Sequence, residues 1–157
     1  MSYQEQIIRL TEKANRDLFR SVRATAEDKL QWKPLDEGRT VLGMAQECAQ
    51  SAMWFAIMLE KRTGSAFPME DYPKMQAERA SWSLDDCERI LRENTERLAV
   101  AIRAIPDDDL GQEITLPWGD DMKATLADVM AYHYWNVTYH LGQVNFIQTL
   151  YGDKEMH

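Results

Sequence analysis

The sequence predicts an all-α fold, a four-helix bundle, and three observations carry that prediction. Four stretches repeat apolar residues at helical spacing. The second and third of these are separated by a long segment holding Gly64, Pro68 and Pro73. With 157 residues, 45% hydrophobic and 28% charged, the chain has the size and composition of one globular domain, residues 1–157.

The first helix is expected from about Tyr3 to Val22, with Ile7, Ala14, Leu18 and Val22 on its inner side. Ser2 is its N-cap, and Glu5, three residues on, completes a capping box. A linker follows with a short turn at AEDKLQWKP and ends at Gly38; Trp32 and Pro34 are expected to pin it to the bundle. The second helix runs from near Thr40 to Lys61 on Val41, Met44, Cys48, Ala52, Phe55 and Leu59. Residues 62–82 are expected to be an irregular connection, of the kind bundles use as a crossover between helices. The third helix opens at Ser83, with Asp86 as a weaker box, carries Leu84, Cys87, Leu91, Leu98 and Ile102 inward, and stops at Pro106. Between Pro106 and Lys123, Gly119 and Asp120 are placed to turn a small hairpin. The fourth helix is capped by Thr125 with Asp128, runs to about Tyr151 and meets Gly152 as its stop.

The fourth helix holds more apolar surface than one bundle core uses. Leu126, Met130, Val137, Leu141 and Val144 form one band, and Trp135, Tyr139, Phe146 and Leu150 a second. A helix apolar on two sides is covered by more than one neighbour, which predicts a homodimer through this helix, with the first helix as a further contributor. The competing reading is a monomer with a tryptophan-lined pocket for a small-molecule ligand.

Between the two bands runs a polar stripe, His133, Asn136, His140 and Gln143, whose spacings of three and four keep it on one face. Buried polar groups need partners, and Glu47, beside the core residue Cys48 on the second helix, is placed to supply one. Glu47, His133, Asn136 and His140 are therefore the candidate pocket residues. A carboxylate facing an imidazole inside a bundle is also a start towards a divalent metal site. His133 and His140 lie two turns apart, about 10.5 Å along the axis, too far to share one ion. A neutral amide such as Asn136 is a poor ligand for zinc or nickel. A hydrogen-bonded Glu–His pair without metal is the simpler outcome, with Tyr132 and Tyr139 near enough in sequence to complete it. Cys48 is expected in the core, while Cys87, close to a helix start, is positioned to be more acidic than an ordinary thiol.

Charge and cysteine content narrow the partners. The net charge of −8 and pI near 4.9 oppose binding to nucleic acid or to an anionic membrane. Two cysteines do not make a disulfide framework, and no basic-then-apolar leader or long apolar run is present, so a cytoplasmic location is expected.

The segment AYHYWNVTYHLGQVNFIQTLYGD, the W-K-P linker, the helix opening T-V-L-G-M-A-Q-E and above all the ending H-L-G-Q, His140 to Gln143, resemble the DinB-like (YfiT-like) superfamily. The resemblance spans nearly the whole chain. It implies a bundle in up-down-down-up order, commonly dimeric, that holds one divalent metal (Zn or Ni) through three histidines. Those ligand positions fall on Glu47, Asn136 and His140, of which only His140 is a histidine. The resemblance thus implies either a degenerate site with no cofactor or a divalent-metal-dependent enzyme, thiol-S-transferase-like or hydrolase-like. In such a transferase the metal lowers the pKa of a small thiol so that its thiolate attacks an electrophile.

Overall fold

The computed structural model describes residues 1–119 and 121–157. Five α-helices and one two-stranded sheet are present among them: α1 (Tyr3–Ala24), α2 (Val41–Lys61), α3 (Tyr72–Arg79), α4 (Leu84–Arg103), β1 (Glu113–Thr115), β2 (Lys123–Thr125) and α5 (Leu126–Leu150). The long helices α1, α2, α4 and α5 are the four predicted from the apolar period.

Their ends follow the side chains that satisfy orphaned backbone N–H groups. Ser2 accepts from the Glu5 amide, Thr40 from Gly43, and Ser83 and Thr125 form reciprocal capping boxes with Asp86 and Asp128. The Ser2 cap works in one direction only; Glu5 does not return the bond and instead pairs with Arg103. Trp32 packs edge-on against Tyr151 at 6.4 Å between ring centroids, which ties the linker to the end of α5.

Cross-helix bonds fix the directions. Tyr3 reaches Ala127 at the start of α5, and Ser21 reaches Gln148 near its end, so α1 and α5 are parallel. Asn15 bonds Thr95, and Arg23 bonds Glu88, so α4 opposes α1. Glu47 meets His140 and Ser51 meets His133, so α2 opposes α5. The order is up-down-down-up. Keeping α2 and α4 parallel requires the chain to return along the whole bundle, which is the task of residues 62–83.

That crossover is not wholly irregular, as the sequence suggested, because Tyr72–Arg79 forms the short helix α3. Pro73, a breaker inside a helix, sits in the first turn, where its missing N–H costs nothing. Next to it, Gly64 lies so close to the hairpin that a Cβ would stand 1.6 Å from the Thr115 carbonyl oxygen. Only glycine permits that approach.

The hairpin before α5 is present, with Ile114 opposite Ala124 and both side chains turned into the core. Of the two residues expected to turn it, Gly119 has φ +152°, whereas Asp120 lies outside the described residues. No helix among the described residues is long and apolar enough to cross a membrane.

Four of the five residues of the predicted inner band of α5 are core, and Leu141 is only partly buried. Leu126, Met130, Val137 and Val144 are fully buried. The second band is not: Trp135 and Phe146 are each 63% exposed, and Tyr139 and Leu150 are about half exposed (52% and 49%). The exposed residues of α1, by contrast, carry mostly charge, and no large apolar side chain stands out from it.

Candidate functional site

Antiparallel packing of α2 on α5 brings the polar stripe of α5 against Glu47 and Ser51, one turn apart on α2. Two clusters result, and they are separate.

The first is centred on Glu47. His140, 1% exposed, approaches its Oε1 with Nε2 at 3.1 Å, while His140 Nδ1 lies 2.7 Å from Gln143 Oε1. Arg39 donates from Nη1 to Glu47 Oε2 at 2.6 Å, and Arg79 Nη2 stands 3.5 Å from the same oxygen. Arg79 comes from α3. It is 8% exposed, donates to Gln50 Oε1 at 3.1 Å and lies over the rings of Trp54 and Tyr72, 5.8 and 5.9 Å from their centroids. Burial alone would raise the Glu47 pKa, but the hydrogen bonds from His140 and Arg39 and their charges outweigh it and bring it down to about 2. Glu47 is therefore an ionised acceptor at neutral pH, and the proton between it and His140 sits on Nε2.

The second cluster is centred on Ser51. Its Oγ lies 3.2 Å from His133 Nδ1, accepts from Asn136 Nδ2 at 3.2 Å and donates to the Cys48 carbonyl at 3.2 Å. His133 is fully buried and its Nε2 has no partner. Burial pushes its pKa down to about 3, so it is a neutral imidazole.

The four candidate residues are thus brought to one region but not to one point. Glu47 and His140 meet directly, Asn136 faces Ser51, and His133 is one turn beyond, as its spacing from His140 required. The partners that complete the network are not Tyr132 and Tyr139. They are Ser51, Arg39, Arg79 and Gln143; Tyr132 packs on Phe55, and Tyr139 stacks on the exposed Trp135 and meets the His140 ring edge-on without hydrogen bonding to the network. Cys48 is core, as expected. Cys87 is not acidic, since burial and then the neighbouring Asp86 carboxylate push its thiol up to about 12.

Beside these clusters a cavity of about 570 Å³ opens between α2, α5 and the hairpin. Its walls are Trp54, Phe55, Leu116, Trp118, Tyr132 and Trp135, and Glu47, Ser51 and Asn136 contribute polar edges. Trp54 Nε1 is buried there with no acceptor among the described residues.

A divalent ion fits this donor set poorly. An ion at Nε2 would have to displace the proton that His140 gives to Glu47 and break that bond. Both Glu47 oxygens already hold cationic or N–H donors, and Asn136 offers only an amide. Among the described residues no cluster of three or more His, Cys, Asp or Glu side chains is arranged to hold a metal.

Comparison with known proteins agrees with this architecture. The family model described as DinB superfamily matches residues 10–144. Among solved structures, YfiT from Bacillus subtilis, described as a probable metal-dependent hydrolase with an unusual four-helix bundle topology, has a TM-score of 0.77 at 18% identity, covering 95% of this chain and 87% of that one. A mycothiol-dependent maleylpyruvate isomerase has a TM-score of 0.72 at 14% identity, covering 92% of this chain and 63% of the isomerase. At such identities the shared property is the fold. No curated protein matches the chain.

Proposed function

This chain belongs to the DinB superfamily, and we propose that within it the chain works without a metal, as a binding protein for a small molecule with an apolar body. The observation that carries this is the state of Glu47. At the position where the resemblance implies a metal ligand, its Oε2 is held by Arg39 and Arg79 and its Oε1 by His140, so the carboxylate charge is already compensated and one lone pair on Oε1 stays open. The ionic network fixes the second helix, the crossover and α5 around the cavity, and the cavity itself is apolar-walled with a few polar groups, the usual make-up of a ligand site.

The metal-dependent hydrolase or thiol-transferase reading draws on the relatives' descriptions. It would need Nε2 of His140 deprotonated and Glu47 released from two guanidiniums. The experiment compares the two readings directly. Protein purified without a histidine tag is expected to contain no stoichiometric zinc or nickel, and to bind the apolar probe N-phenyl-1-naphthylamine with saturable 1:1 stoichiometry, unchanged by chelator. Stoichiometric metal, or probe binding that needs it, overturns the proposal. The double variant E47H/N136H should bind zinc orders of magnitude more tightly than the wild type, each tenfold being about 1.4 kcal/mol.

We also propose a homodimer through α5. Trp135, Tyr139, Phe146 and Leu150 stand exposed on one face over sixteen residues, about 22 Å of helix. A two-fold partner presents the same patch in return, so a second copy covers it with its own apolar face. The exposed side of α1 is charged and takes no part. Light scattering should give a dimer mass, and F146K, remote from the cavity lining, a monomer that still binds the probe. A monomeric wild type refutes the dimer.

A further inference from the structure

The cavity's charge pattern narrows the ligand further. Two charged side chains line it, Glu47 and Asp128, and both are acidic. Arg39 and Arg79, which hold Glu47 Oε2, are not among the lining residues, and neither is His140. The Asn136 amide gives one of its two N–H groups to Ser51, and its Oδ1 has no donor among the described residues. Five aromatic residues line it: Trp54, Phe55, Trp118, Tyr132 and Trp135. Their faces carry negative quadrupole density, which attracts cations and not anions. A molecule that enters therefore meets carboxylate charge, the Asn136 amide and aromatic rings. It meets no lining cation.

Resting on the binding role set out above, we propose that the ligand is an organic ammonium, a primary amine in its charged form on an apolar or aromatic body. The N–H groups of its head would be taken by Glu47 Oε1, which has a lone pair beyond the one His140 uses, and by Asn136 Oδ1, while its positive charge sits against the rings. A carboxylate ligand would bring its charge against Glu47 and Asp128 with no lining donor of opposite sign. An alcohol would keep the hydrogen bonds and lose the charge.

Three molecules with nearly the same body separate these cases: phenethylammonium, 2-phenylethanol and 3-phenylpropionate, each titrated at pH 7 into the full-length protein by calorimetry and by the change in tryptophan fluorescence. The amine is expected to bind at least about tenfold more tightly than the alcohol, and the acid most weakly. N136L, which removes the free acceptor, should weaken the amine by about fivefold or more, and D128N, which leaves the Glu47 network in place, should weaken it more than it weakens the alcohol. If the alcohol or the acid binds as tightly as the amine, the ammonium class is wrong while the binding role stands. If none of the three binds and the apolar probe also fails, both fall together.

Discussion

Replacing Glu47 by Gln keeps the shape of the side chain and removes its charge, so it isolates what the carboxylate contributes. In the folded protein Glu47 titrates near 2, against an ordinary value of 4.5, through its bonds to His140 and Arg39. A depressed carboxylate stabilises the fold above the unfolded pKa, and the contribution fades as pH falls from 4.5 through about 2. The difference corresponds to about 3 kcal/mol at neutral pH. The variant also leaves Arg79, 8% exposed, without its carboxylate, and breaking one side of a buried pair costs about 3–5 kcal/mol. Urea unfolding at pH 7 should therefore show E47Q destabilised by about 3 kcal/mol, with Tm lower by roughly 6–12 °C for a chain of this length. At pH 2 the gap between the two proteins should shrink by about half or more, because the wild-type carboxylate is then substantially protonated. His133 titrates alike in both proteins and cancels in the comparison. A loss under about 1 kcal/mol at pH 7, or a gap that does not change with pH, would refute the ion-pair network as the centre of this site.

Other consequences can be measured on the same protein. His133, pushed to about 3 by burial from an ordinary 6.5, stabilises the fold as a neutral ring, and that contribution is lost as pH falls from 6.5 towards 3. H133F should accordingly lose less stability than the wild type over that interval in pH-dependent unfolding. R79M preserves volume but strips Glu47 and Gln50 of a buried donor, and should cost about 2 kcal/mol in chemical denaturation. G64A forces a methyl onto the Thr115 carbonyl, so the crossover or the hairpin must shift; a fall in Tm of more than about 5 °C is expected, and an unchanged Tm would contradict that close approach. Cys48 and Cys87, both buried with raised pKa, should react with a thiol reagent at pH 8 only after unfolding.

The helices and their limits were legible in the residues because they depend on neighbours three and four places away. Ser2, Thr40, Ser83 and Thr125 each cap within that range, and the inner bands of α1, α2, α4 and α5 follow one period. The polar stripe of α5 and the separation of His133 from His140 were fixed in the same way. The short helix α3 was missed because Pro73 was taken as a breaker, although first-turn placement of proline together with YPKMQAER carried the signal. Nothing local marked Arg39, Arg79 or Ser51 as parts of the site. Arg39 lies eight residues before Glu47, Arg79 thirty-two after it, and His140 ninety-three after it. Only the parallel placement of α2 and α4 returns the crossover past the start of α2 and sets Arg79 beside Glu47. Periodicity assigns a side chain to a face; which charge it meets there depends on how that face is packed. The sequence by itself therefore determined a bundle with a polar stripe inside it. Which partners that stripe meets was decided in the tertiary structure, where the linker and the crossover bring two guanidiniums to Glu47 beside His140.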